Sequence, residues 1–260
     1  MLSRGAAFLL VGVCLALSVT AAAAARPRTA AVEAALRAGG FYAGPRDQAA
    51  AVAGLRRALG RRSLRRGERG FDVAELQLAL AWQGFPSGRI DGHFGPRLAF
   101  ALTRFQRAAG LPADGIGGRA TIAALRRVPA GAPIPLGWPL LAPFGDGFGP
   151  RGERFHAGLD LLAPFGTAVI AAAPGRVAWA GRRDGWGKLV TVAHGHGVRT
   201  MYAHLSTVAV KVGQWVAGGT VVGRVGATGD ATGPHLHYEV RVGGAAIDPL
   251  RALVPLPAGL

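Results

Sequence analysis

Residues 235–242, His-Leu-His-Tyr-Glu-Val-Arg-Val, alternate polar and apolar without a break. Successive side chains on a strand point to opposite faces, so His235, His237, Glu239 and Arg241 share one face and Leu236, Tyr238, Val240 and Val242 the other. One face builds a site while the other packs a core. Two imidazoles converging in this way suit a transition metal, zinc above all. Outward from this stretch, short Val-rich runs are separated by glycine turns: 168–172, 176–180, 189–193, 198–202 and 221–225. Short strands at that spacing predict an all-β domain over residues 140–252.

Six of the seven histidines lie between residues 156 and 237. His156 and Asp160 are four apart with Gly158 between them, which disfavours a helix and leaves a strand with both on one face. Nitrogen from His and oxygen from Asp are both ordinary zinc ligands. His204 closes the run Thr200-Met201-Tyr202-Ala203-His204, with Thr200 and Tyr202 pointing to its side. Three strand-borne elements therefore each bring a histidine to one face. His194 and His196 fall in a turn and are read as structural. No Gly-rich phosphate loop, serine elbow, paired-cysteine finger or His-Glu-x-x-His helix occurs.

The N-terminal half reads differently. Asp72 with Glu75 three residues on has the form of a capping box. Val73, Leu76 and Leu80 follow at helical spacing, and Gly84 ends the run. Pro96 suits the first turn of a second helix, with Leu98, Ala101, Leu102, Phe105 and Ala109 on one face. A third helix carries Ile122 and Leu125. Asp-Gly turns recur at Asp91-Gly92 and Asp114-Gly115. His93, in the first of these turns, is expected at the surface. Val128 to Pro139 holds four prolines and reads as a semi-rigid connector, 128–139.

These motifs carry two resemblances. The phrase LQLALAWQGFPSGRIDGHFGPRLAFALTRFQRAAGLPADGIGGRATIAAL, residues 76–125, resembles the peptidoglycan-binding type 1 domain, which assigns residues 64–127 to it. The phrases FHAGLDLLAPFGTAV, GRVAWAG, TMYAHLS, VKVGQWVAGG and GATGDATGPHLHYEV run in order through residues 155–240. They resemble the lysostaphin-type zinc metallopeptidases, which cut peptidoglycan peptides. The two together imply a multidomain chain, with a small all-α (three-helix) N-terminal domain and an all-β C-terminal peptidase domain. The second implies one Zn2+ per catalytic domain, held by His156, Asp160 and His237. It makes His204 and His235 the catalytic pair, with their acid, base and oxyanion roles left open. Groups that fix the histidine tautomers are expected nearby; Glu239 and Asp230 are candidates, each read first as structural.

Composition bounds the rest. Net charge is +16, and residues 1–130 hold 19 Lys+Arg against 7 Asp+Glu. A polyanionic partner or an Arg-rich proteome explains this equally well. Peptidoglycan, with anionic envelope polymers, is the partner expected; the chain has no nucleic-acid recognition motif. Arg4, the apolar run Ala6–Leu17 and Ala23-Ala24-Ala25 read as a signal peptide, 1–25, so the membrane is met only in transit. The expected location is secreted, in the periplasm or at the cell wall and exterior. Cys14, the one cysteine, lies inside that segment. Residues 26–63 form an Ala/Arg-rich segment with helical patches at 30–38 and 48–59. The activity expected is a zinc metalloendopeptidase acting on peptidoglycan, tethered by its helical domain. The alternative is a non-catalytic regulator that binds other wall hydrolases, and the complete set of five site residues speaks against it.

Overall fold

The computed structural model describes residues 59–127, 129, 131–151 and 154–255. The signal-peptide reading, Cys14 and nearly all of the 26–63 segment with its helical patches lie outside the described residues.

Three helices form the first unit: α1 Phe71–Trp82, α2 Pro96–Ala108 and α3 Arg119–Leu125. Asp72 is not a cap as its spacing suggested. The helix begins one residue earlier with Gly70 at the cap position, and Asp72 instead pairs with Arg62 at 2.7 Å. Pro96 does open α2, and Leu98, Ala101, Leu102 and Phe105 are buried along one face as expected, whereas Ala109 is exposed. Two glutamines tie the Asp-Gly turns to the helices. Gln77 bonds Asp91 and the Gly92 amide, and Gln106 bonds Asp114 and the Gly115 amide. Each buried amide side chain thereby satisfies the backbone of the turn it faces.

The second unit is built of strands: β1 Gly149–Arg151, β2 Arg154–His156, β3 Leu159–Leu161, β4 Ala168–Ile170, β5 Gly175–Arg183, β6 Gly187–Ala193, β7 Val198–Leu205, β8 Thr207–Val208, β9 Trp215–Val216, β10 Val221–Arg224, β11 Leu236–Val242 and β12 Ala245–Ile247. A large antiparallel sheet runs β12-β11-β7-β6-β5-β9, with β3 also paired to β11. A smaller sheet, β4-β10-β8, covers one face of it. Between them Val190, Val192, Tyr202, Leu236, Tyr238 and Val240 pack on Val169, Val222 and Val225, all buried. The apolar half of the 235–242 alternation lies in this core, which leaves the polar half on the opposite face.

The Pro-rich stretch lies against the strands. Leu136 is fully buried and bridges to Leu253, Gly137 donates to Ala172 O, and the Trp138 indole donates to Val254 O.

The two units share a core. Trp82, at the end of α1, sits edge-on to Phe155 with ring centroids 5.0 Å apart, and 5.9 Å from Phe148. Phe148 and Ala246 belong to the same buried cluster as the helices. Past the helix end, Gly84 (φ +82°) accepts a hydrogen bond from the Ala246 amide at 3.1 Å. A Cβ on Gly84 would lie 2.2 Å from Ala246 O, so only glycine permits this backbone contact. Arg104 of α2 donates to Gly244 O across the seam at 3.2 Å. Burial, and then the charge of Arg241, hold the Arg104 guanidinium below its ordinary value.

Candidate metal centre

The backbone brings three distant segments together. Strand β11 is flanked by β3 and β7, and His237 lies opposite Asp160 on one side and Ala203 on the other. His156 ends the β1–β2 hairpin, whose register pairs it with Gly149. Gly158 permits the close approach. A Cβ there would meet Tyr238 O at 2.5 Å and the His237 ring at 2.8 Å.

The result is one tight cluster. His156 Nε2 is 2.8 Å from His237 Nδ1, and Asp160 Oδ1 is 3.0 Å from the first and 2.9 Å from the second. All three residues are buried, and their candidate ligand atoms lie within 4.8 Å of one another. The outward ring nitrogens are committed elsewhere. His156 Nδ1 donates to Gly147 O at 2.8 Å, and His237 Nε2 donates to Glu239 Oε1 at 3.0 Å. A carbonyl and a carboxylate can only accept, so both ring protons are drawn to the outer nitrogens and the inner ones present lone pairs. Two nitrogen lone pairs and a carboxylate oxygen, all acceptors and dry, repel one another unless a cation sits among them. The donor set, two nitrogens and one oxygen, is a common one for zinc, and the residues fit the ion.

In the metal-free protein a proton takes the place of that cation, shared between the inner ring nitrogens and Asp160, and the charges respond accordingly. Burial would raise the Asp160 carboxyl, yet hydrogen bonds from His156 and His237 hold it well below the usual carboxylate range. Burial would lower His237, and its bonds to Asp160 and Glu239 push it up to about 9 instead. Glu239, also buried, is pulled down to about 2 by His237 and Arg241. Arg241 grips Glu239 at 2.6 and 2.8 Å, and the Trp186 indole adds a third donor at 3.3 Å. Of the two acceptors considered from the sequence, Glu239 therefore orients His237. Asp230 contributes a backbone amide bond to Gly185 O and no contact with a site histidine. The other Asp160 oxygen, Oδ2, faces Arg151 Nη1 at 3.2 Å, a partner that the sequence did not announce.

His204 and His235 stand beside the cluster with ring centroids 4.8 Å apart, and the His204 ring is 5.8 Å from that of His237. His204 Nδ1 donates to Thr228 O at 2.7 Å, and His235 Nδ1 donates to Gly233 O at 2.9 Å. Each therefore keeps an Nε2 lone pair, and that of His235 is 3.8 Å from Asp160 Oδ1. Burial, the largest influence, lowers His204 from its ordinary value and keeps it neutral near pH 7.

His204 does not reach this face by simple alternation. Its parity is that of Thr200 and Tyr202, which point into the core. A register shift between Lys188 and Val190 in the β6–β7 pairing, and the left-handed backbone of His204 (φ +59°), turn the ring to the site side. Such a conformation costs a non-glycine residue about 1–2 kcal/mol. It is held by hydrogen bonds from the His204 amide to Trp186 O and from its ring to Thr228 O.

His194 lies apart from the cluster. Its Nδ1 donates to Pro174 O, and its Nε2 is 2.8 Å from the Thr200 hydroxyl. His196 has a left-handed backbone (φ +58°) in the β6–β7 turn. His93 bridges to Arg69 in the helical unit.

Comparison with known proteins agrees with both halves. Residues 154–249 match the model of peptidase family M23, and residues 69–125 match PG_binding_1, a peptidoglycan binding domain. The chain is 47% identical over 104 residues to the DD-carboxypeptidase/endopeptidase Mpg of Neisseria meningitidis, covering 40% of this chain and 24% of that protein. It is 29% identical over 206 residues to the peptidoglycan DD-endopeptidase ShyB of Vibrio cholerae, covering 76% of this chain and 46% of that one. The chain thus spans about a quarter to a half of the length of these relatives. Among solved structures, the catalytic domain of lysostaphin from Staphylococcus simulans is 34% identical, with a TM-score of 0.40 over 42% of this chain and 90% of that one. Residues 154–249 thus form a peptidase family M23 domain, and residues 69–125 ahead of it a peptidoglycan binding domain.

Proposed function

We propose that the protein is a secreted zinc endopeptidase that hydrolyses peptide bonds in the stem or cross-bridge of peptidoglycan, with its helical domain engaging the wall. The carrying observation is the convergence of three lone-pair donors, His156 Nε2, Asp160 Oδ1 and His237 Nδ1, beside two histidines that each keep a free Nε2. The family match and the peptidoglycan endopeptidases among the relatives support the substrate class.

In this reading His156, Asp160 and His237 hold the ion. A bound zinc ion supplies Lewis acidity, polarising the scissile carbonyl and lowering the pKa of water to about 7. His204 and His235 handle the protons. Neutral at Nε2, either one can take a proton from the attacking water and return it to the leaving amine. The protonated ring then donates a hydrogen bond to the developing oxyanion. Both rings are oriented by backbone carbonyls rather than carboxylates, and burial lowers His204 from its ordinary value. Gly147 O and Glu239 keep the two ligand imidazoles in the tautomer that binds metal. Domain limits near 64–127 and 140–252 follow from the same reading.

The test is a digest of purified peptidoglycan with the zinc-loaded protein, with and without chelator, read by mass spectrometry. New peptide termini that vanish with chelator and return with zinc are expected, and their masses name the bond. Absence of new termini from several peptidoglycan types, with stoichiometric zinc bound, would overturn the peptidase reading in favour of a regulator.

A further inference from the structure

The polar face of β11 continues past Glu239 into a patch that the catalytic chemistry does not use. Arg241 lies directly opposite Arg199 of β7 in the strand register. Like charges in that position repel. A third cation comes from the other domain. Arg104 Nη2 and Arg241 Nη1 both point at the same oxygen, Gly244 O, at 3.2 and 3.4 Å. The two guanidinium groups therefore meet at the domain seam, sharing one carbonyl.

Three arginines here answer to one carboxylate, Glu239, which is already bound to His237 and Arg241. Among the described residues, neither Arg104 nor Arg199 has a carboxylate in its hydrogen bonds or ion pairs. Arg104 is preorganised by stacking near the Phe85 and Phe100 rings, at 5.3 and 5.9 Å. Phe100 is itself exposed. Three cations sharing a single acid present a ready anion site, because an incoming carboxylate removes repulsion as well as gaining charge-assisted bonds.

Its position names the ligand. Arg241 holds Glu239, which holds His237, so the patch adjoins the metal cluster on the same face of the sheet. Arg241 is four residues along the strand from His237, about 13 Å at the strand rise. An extended peptide whose scissile bond sits at the cluster therefore carries its third or fourth neighbouring residue to this patch. We propose that Arg104, Arg199 and Arg241 form a subsite, assembled from both domains, for a carboxylate of the peptidoglycan peptide being cut. This deepens the endopeptidase reading and rests on it. It makes the helical domain part of the substrate groove, and it favours stem peptides bearing free acids over uncharged glycine bridges.

The experiment uses the full chain and two probes: a cross-linked stem-peptide dimer with its free carboxylates, and its fully amidated twin. Binding is measured to metal-free protein by fluorescence anisotropy, and cleavage is measured with zinc-loaded protein. Wild type should bind the acid form about tenfold more tightly, the scale of one charge-assisted hydrogen bond, with a matching ratio in KM. The preference should shrink at high salt. Arg199 makes no side-chain hydrogen bond or ion pair among the described residues, so R199Q should reduce the ratio severalfold, R104Q/R199Q should bring it close to one, and R199K should restore most of it. Turnover at saturation should change less than twofold. Equal affinity of wild type for the two probes would overturn the subsite, as would an R199Q protein that loses both equally. A metal-free protein that prefers the acid form while the zinc-loaded protein cuts neither probe would leave the anion site standing and remove the peptidase reading.

Discussion

Trp82 joins the helical domain to the hairpin that carries His156, and Trp82→Ala tests whether that joint matters. Trp82 is 2% exposed and touches Phe155 and Phe148, which in turn pack on each other at 5.0 Å. Phe155 precedes His156, and Phe148 follows Gly147, whose carbonyl holds the His156 ring. The hairpin has only three residue pairs, Gly149 with His156 through Arg151 with Arg154. A two-stranded ribbon that short is marginal alone, so its order must come from what it packs against. Truncating a buried tryptophan costs about 3–5 kcal/mol overall. The two aromatic contacts account for about 0.5–1.5 kcal/mol each beyond area burial, a loss of about 1–3 kcal/mol that falls on the hairpin. Hydrogen exchange of amides in 149–156, measured on the folded full chain, should accelerate about 5- to 140-fold, since every 1.4 kcal/mol is a factor of ten. Zinc affinity should fall in step, because only the closed hairpin presents His156. Trp82→Phe should recover part of both. Unchanged exchange in the hairpin, alongside lost protection in α1, would refute the coupling.

Four further outcomes follow from the site. Asp160→Ala and His237→Ala should abolish zinc binding in a competition titration, whereas His204→Ala should retain zinc and lose about 10²–10⁴ in kcat; stoichiometric zinc in the first two would contradict the ligand assignment. Glu239→Gln should weaken zinc about 10- to 100-fold, by loosening the His237 tautomer and leaving Arg241 without its acid. The buried Tyr238 hydroxyl has no hydrogen-bond partner among the described residues, so Tyr238→Phe should leave the melting temperature unchanged or raise it, by up to about 1–2 kcal/mol of recovered desolvation; a clear loss would reveal a partner. Burial holds His194 below its ordinary value of 6.5, and its bond to Pro174 O offsets this only in part. A depressed histidine stabilises the fold fully above the unfolded pKa and loses that contribution as pH falls through the folded one; metal-free wild type should therefore lose more melting temperature than His194→Gln between pH 7 and pH 5.

The sequence made the strands with strict alternation legible. Leu236–Val242 and the runs in β4–β7 and β10 appear where their apolar faces required them. The strand expected to carry both His156 and Asp160 is two short strands, β2 and β3, interrupted at Ala157-Gly158, and three residues apiece are too few to show a period. His156 and Asp160 were found through their chemistry. The structure brings His204 beside the cluster, though alternation alone would have buried it and a backbone irregularity redirects it. The tautomer-fixing carbonyls of Gly147, Thr228 and Gly233 leave no trace in side-chain identity. The capping-box pattern at Asp72 failed because the helix starts at Phe71, which puts Asp72 inside the first turn, where its carboxylate pairs with Arg62.

The Gly84–Ala246 backbone contact carries one more consequence. A flexible leash would let a wall-bound enzyme sweep a sphere of neighbouring bonds, at an effective concentration set by its slack. A backbone bond across a shared core removes that slack. Under the proposed function, a helical domain clamped in this way would work as a caliper: wherever it gripped the wall, the cut would fall at one fixed offset and in one orientation. Lengthening the 128–139 connector would then leave the pattern of cuts unchanged, and only prising the two domains apart would blur it.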